Sequence, residues 1–132
     1  MTKILVIDDE ETMRNVLIEV LERENYDVSV ASNGDEGLAA LRDEPADLVI
    51  TDIIMPGKNG VDTVHDIRAE FPDTRIIVIS GGGNVTPMEY EPSAIKTAAY
   101  LASASVAGAD VTLAKPFERK ELMDAVHELV DA

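Results

Sequence analysis

Four short apolar runs in this chain each lead to a residue type able to do chemistry. Ile4-Leu5-Val6-Ile7 runs into Asp8-Asp9, and Leu48-Val49-Ile50 reaches Asp52 after Thr51. Ile76-Ile77-Val78-Ile79 ends in Ser80, and Val111 to Ala114 is followed by Lys115-Pro116-Phe117. If these runs are neighbouring strands, three carboxylates, a hydroxyl and an ammonium converge on one rim. Unit like charges about 4 Å apart repel by roughly 4 kcal/mol at an effective dielectric near 20, so the carboxylates require a divalent cation. Oxygen donors without histidine or cysteine suit Mg2+ or Mn2+, and Mg2+ keeps positions for water and phosphate oxygens. A lysine pairs with phosphate as a point charge. A carboxylate is itself a competent nucleophile, so the set describes a site that receives a phosphoryl group as an aspartyl phosphate.

The elements that must position these residues follow from the same runs. Short apolar runs bounded by turn residues are the mark of buried parallel strands. Here they alternate with amphipathic stretches, the βαβα pattern of a sheet covered on both faces. In such sheets ligands sit in the crevice outside the carboxyl ends of the strands. Strands are expected over residues 3–7, 28–30, 47–51, 75–80 and 111–114. A first helix carries Met13, Val16, Leu17, Val20 and Leu21 on one stripe and stops near Asn25. Asn33-Gly34-Asp35-Glu36 offers a cap and an acidic first turn to a helix with Leu38 and Leu41, closed by Pro45. Met55 to Gly60 reads as a loop, followed by a helix with Val61, Val64, Ile67 and Phe71 inward. A last helix starts near Glu118 and carries Leu122, Val126, Leu129 and Val130.

One segment breaks the rhythm. Gly81-Gly82-Gly83 with Pro87 and Pro92 predicts an extended mobile loop, followed by an alanine-rich helix over about 93–106. That helix has the small stripe Ile95, Ala98, Ala99 and Ala102, so it should be the softest part of a fold of five strands and five helices.

At 132 residues the expectation is a single domain, residues 1–132, with a self-supporting core. The chain has no cysteine, hence no disulfide framework and no thiolate metal site. No apolar stretch reaches the length of a membrane span, and Met1-Thr2-Lys3 leads straight into a strand rather than a signal peptide. A cytoplasmic location is expected. A formal charge of −15 argues against nucleic acid or an anionic membrane as direct partner. Plainer uses exist for single residues: Asp8-Asp9 as a helix cap, Lys115 as a surface lysine, Ser80 as a strand-end hydroxyl. His65 and His127 are expected on polar helix faces, Tyr100 in packing and Tyr90 on a loop surface.

Taken in order, "ILVIDDE", "DLVITDIIMPGKNG", the serine of "IIVISG" and "GADVTLAKPF" resemble the receiver domain of two-component response regulators over essentially the whole chain. The resemblance implies an α/β, flavodoxin-like (βα)5 fold whose parallel sheet has the order 2-1-3-4-5. It implies Asp52 as phosphoacceptor and Mg2+ held by Asp8, Asp9, Asp52 and the main-chain carbonyl of Ile54. Lys115 would contact the phosphoryl group, and Ser80 would swing toward it on activation. The implied partners are a sensor histidine kinase or phosphotransfer protein and a downstream protein target, with a phosphorylation-dependent dimer as one form. Such a domain is a signalling phosphoacceptor, not an enzyme in the ordinary sense, and no output domain is expected within this chain.

Two departures stand out. The family usually has Tyr or Phe three residues before the lysine, where this chain has Thr112. The segment after Ser80 is longer than is common by roughly ten residues. Rival readings are a receiver serving only as a binding scaffold, a haloacid-dehalogenase-like aspartyl phosphatase and a flavodoxin-type FMN carrier. The phosphatase needs a second acid two residues after the nucleophile, where Ile54 stands. The FMN carrier needs a hydroxyl- and amide-rich loop, where Asp8-Asp9-Glu10-Glu11 would repel phosphate.

Overall fold

A computed structural model describes residues 2–52, 60–80, 108–114 and 117–130. In chain order the elements are β1 (Lys3–Ile7), α1 (Glu11–Arg23), β2 (Asp27–Ala31), α2 (Gly34–Asp43), β3 (Leu48–Asp52), α3 (Gly60–Glu70), β4 (Arg75–Ser80), β5 (Val111–Ala114) and α4 (Arg119–Val130). All strands pair in parallel in the order β2-β1-β3-β4-β5. That is the doubly wound order expected from the sequence. The chain leaves β1 toward β2 on one side and comes back to β3 on the other, so the crevice between β1 and β3 is the topological switch point.

Successive strand residues point to opposite faces, which divides the apolar runs into two cores. Leu5, Ile7, Val49, Ile76 and Val78 pack with Leu38 and Leu41 of α2 and Val64 and Ile67 of α3. Ile4, Val6, Leu48, Ile50, Ile77 and Ile79 pack with Leu17 and Leu21 of α1 and Leu122 and Val126 of α4. β3, buried at every residue, lies between them. Each fully buried Leu or Ile contributes about 1.5–3 kcal/mol, so both faces hold the central strands firmly.

Local chemistry sets the helix ends. Asn25 takes φ 66°, the left-handed conformation that asparagine tolerates, and α1 stops there. At α2, the Asn33 side chain accepts from the Glu36 backbone N–H at 2.8 Å and its amide donates to the Glu36 carboxylate at 2.9 Å. This is a capping exchange between the N-cap and the third helical residue. Two glycines let α2 approach closely: a Cβ on Gly37 would collide with Ile7, and one on Gly34 with Thr63.

The end of the sheet opposite the strand-end acids is tied by Arg68. Its guanidinium donates to the carbonyls of Pro72 (2.7 Å), Thr74 (2.8 Å) and Gly108 (2.8 and 3.2 Å) and to the Asp110 carboxylate (2.9 Å). Asp110 also accepts from the Ile76 N–H at 2.8 Å, so α3, β4 and the approach to β5 share one knot.

The observed strand ends depart little from expectation. β3 runs one residue later than 47–51, because Asp52 stays in the ladder opposite Ile79. β2 gains one residue at each end through its register with β1. Val16, expected on the inner stripe of α1, is instead 49% exposed, since Leu17 and Leu21 take the buried positions. Four helices lie among the described residues; the loop and helix expected over 81–106 fall outside them.

Candidate functional site

The strand register decides which side chains can meet. Ile7 pairs with both Ala31 and Thr51, so Asp8, the next residue, stands level with Asp52 across the β1–β3 crevice. Asp52 is the last residue of β3 and pairs with Ile79. One step further out, Ser80 pairs with Ala114, the last residue of β5. The carboxyl ends of all the central strands therefore form one rim, as the apolar runs implied.

Asp8 is built into the turn that leaves β1. Its N–H donates to the Ala31 carbonyl at 3.1 Å, which prolongs the β1–β2 pairing by one residue. Its side-chain Oδ1 accepts from the Glu10 N–H at 2.8 Å, and its main-chain carbonyl accepts from Arg14 Nη1 at 2.7 Å. The side chain is buried, as is Asp52, while Asp9 is exposed. The N-cap residue of α1 is Glu10, with no side-chain capping bond of its own, and Asp8 satisfies the Glu10 N–H.

One oxygen from each of Asp8, Asp9 and Asp52 lies within 4.8 Å of the other two. Three carboxylates at that spacing repel strongly unless a cation lies among them. The donor set is entirely hard oxygen, the kind that Mg2+, Mn2+ or Ca2+ takes. His65 and His127 are both exposed on helices α3 and α4, as expected. The trio thus fits a divalent metal ion.

The remaining expected site residues are placed less fully. Ser80 ends β4, and the β5 residue Thr112 is half-buried opposite Val78. Ile54, Lys115, Gly81 to Gly83, Tyr90 and Tyr100 lie outside the described residues. Arg14 was not among the residues the sequence pointed to. The available signal was a cation in the first turn of a helix, next to Glu10 and Glu11, where the helix dipole disfavours it.

Known proteins are similar to this chain over nearly its whole length. The family model for the response regulator receiver domain matches residues 4–127. The chain belongs to that family. The receiver is 32% identical over 130 residues to the chemotaxis protein CheY of Halobacterium salinarum, covering 98% of each. It is 36% identical to the transcriptional regulatory protein ResD of Bacillus subtilis, covering 98% of this chain and 48% of ResD. The solved structure of the response regulator TrrA from Thermotoga maritima, a complex with Mg2+ and BeF, superposes with a TM-score of 0.78 at 34% identity, covering 98% of this chain and 100% of that one.

This receiver domain is therefore a flavodoxin-like α/β unit of the kind that serves two-component systems as a phosphorylation-activated switch. It spans about half the length of ResD and nearly all of the CheY. No described helix is long and apolar enough to cross a membrane.

Proposed function

We infer that this receiver domain takes a phosphoryl group onto Asp52 from the phosphohistidine of a sensor histidine kinase or phosphotransfer protein. The observation that carries the reading is the meeting of Asp8, Asp9 and Asp52 at the switch point, each with an oxygen within 4.8 Å of the others. Asp52 is fixed at the end of a strand buried on both faces, so its carboxylate is held where an incoming phosphorus must approach. An Asp52 oxygen attacks phosphorus, the phosphorus–nitrogen bond breaks, and the imidazole keeps the electron pair and is protonated. The product is an acyl phosphate on Asp52.

Asp8, Asp9 and Asp52, with the Ile54 carbonyl, would hold Mg2+. The bound ion supplies charge neutralisation for the carboxylates and for the phosphoryl oxygens. Asp8, held at its N–H, its carbonyl and Oδ1, presents a prepared wall to that site. Lys115 follows β5 directly and would pair with a phosphoryl oxygen; Ser80 would supply the hydroxyl that senses the group. The domain contributes catalysis to its own phosphorylation and hydrolysis without being an enzyme of separate substrates.

Residues 1–132 are read as one receiver unit, since β1 and α4 belong to the same packed sandwich. Cytoplasmic placement goes with kinase partnership. A charge of −15 makes a protein target, not nucleic acid, the direct partner of this domain. Thr112 is too small to act as an aromatic lever, so the signal leaves by another route than serine-to-aromatic coupling.

The test uses a small phosphodonor and mass spectrometry. Phosphate is expected on Asp52 only when Mg2+ is present, and Asp52→Asn abolishes it. Lys115→Ala should bind metal but respond poorly. Phosphate found on another residue of the wild-type protein would refute the assignment.

A further inference from the structure

The bond from Arg14 to the Asp8 carbonyl has a geometric consequence. The C=O of Asp8 and the N–H of Asp9 belong to one rigid peptide plane. Holding the carbonyl at 2.7 Å therefore restrains the plane, and with it the position of the Asp9 Cα from which that side chain departs. Asp8 is already held by the Ala31 carbonyl and the Glu10 N–H. Asp9 is exposed, so burial does little to aim it. Arg14 is half-buried in the first turn of α1, whose own positive dipole end disfavours a cation there.

We propose that Arg14 is a positioning residue of the metal site, orienting the Asp8–Asp9 peptide so that both carboxylates reach the divalent cation together. The inference rests on the trio being the Mg2+ site. It predicts a sign opposite to that of simple charge effects. A guanidinium near a cation site should weaken metal binding through repulsion, so removing it should tighten binding. If Arg14 acts by geometry, removing it loosens Asp9 and weakens binding.

Mg2+ titrations by calorimetry on wild type, Arg14→Met and Arg14→Lys separate these outcomes, with thermal unfolding in EDTA and in Mg2+ alongside. Arg14→Met is expected to bind Mg2+ about tenfold more weakly, the lower end of what loss of a supporting contact costs a metal site. The rise in Tm that Mg2+ gives should shrink accordingly. Arg14→Lys, which keeps a donor for the carbonyl, should recover most of the affinity. Arg14→Leu, which likewise has no donor, carries the same expectation as Arg14→Met should that variant fail to fold. Unchanged or tighter Mg2+ binding in Arg14→Met overturns the proposal, even if its Tm falls equally in EDTA and Mg2+. That pattern would mean a brace for the fold alone. No Mg2+ response in the wild type would overturn the metal reading itself, and this inference with it.

Discussion

Replacing Asp52 with asparagine should stabilise the metal-free domain while removing its phosphoacceptor. Asp52→Asn deletes one charge from the trio and leaves the shape of the side chain nearly unchanged. At the 4.8 Å limit of the cluster, each pair of carboxylates repels by about 3.5 kcal/mol at an effective dielectric near 20. Asp8 is 2% exposed and Asp52 6%, so solvent and salt screen this pair least. Asp9 is exposed, and its share is correspondingly reduced. Part of the release is lost, because asparagine accepts hydrogen bonds less strongly than a carboxylate. A net gain of about 1–2 kcal/mol is expected, which for a domain of this size raises Tm by about 4–8 °C. The assay is thermal unfolding by circular dichroism in EDTA at neutral pH, repeated in Mg2+. The advantage of Asp52→Asn should narrow or reverse in Mg2+, since the wild type binds the ion more tightly and gains more through linkage. If Asp52→Asn melts at or below the wild-type temperature in EDTA, the carboxylates are not crowded in solution and the metal argument loses its basis.

Three further outcomes test the scaffold. Arg68→Met leaves the carbonyls of Pro72, Thr74 and Gly108 and the Asp110 carboxylate without their guanidinium donor, and should cost roughly 2–4 kcal/mol in urea unfolding. A loss below about 0.5 kcal/mol would show that water replaces the knot. Gly108 adopts φ +125° with a virtual Cβ 3.1 Å from Arg68 Cγ, so Gly108→Ala should destabilise by about 1–3 kcal/mol, and an unchanged Tm would contradict that backbone. Asn33→Ala removes the exchange with Glu36 and should cost about 1 kcal/mol, with Asn33→Ser recovering most of it in the same melts.

The strands were legible because their signal is local. Ile4 to Ile7 and Ile76 to Ile79 are apolar at every position, which only a strand covered on both faces requires, and the structure buries them all. Their ends were legible too, since Asp8, Asp52 and Ser80 interrupt the runs. The alignment of Asp8 with Asp52 was implied by sheet order rather than by any spacing, and the register of Ile7 with Thr51 supplies it. Arg68 was invisible for the opposite reason. Two of its partners, Gly108 and Asp110, lie some forty residues away, and periodicity reveals which face a residue occupies but not whom it meets. Val16 shows the limit of periodicity itself. It shares the spacing of the buried stripe yet stays half in solvent, because a helix on the flank of a sheet has room to bury only part of its apolar arc.

The Arg68 knot also bears on how this domain can change over evolutionary time. Ser80 is held by its pairing with Ala114, and Gly108 is held by the guanidinium at the far end of the sheet. The stretch 81–107 is thus bracketed in sequence by two anchored residues. Insertions and substitutions there can accumulate without shifting β5, and so without moving the attachment point of Lys115 relative to Asp52. Chemistry at the rim and novelty in the intervening stretch can then be selected separately, which lets one reaction be wired to different partners.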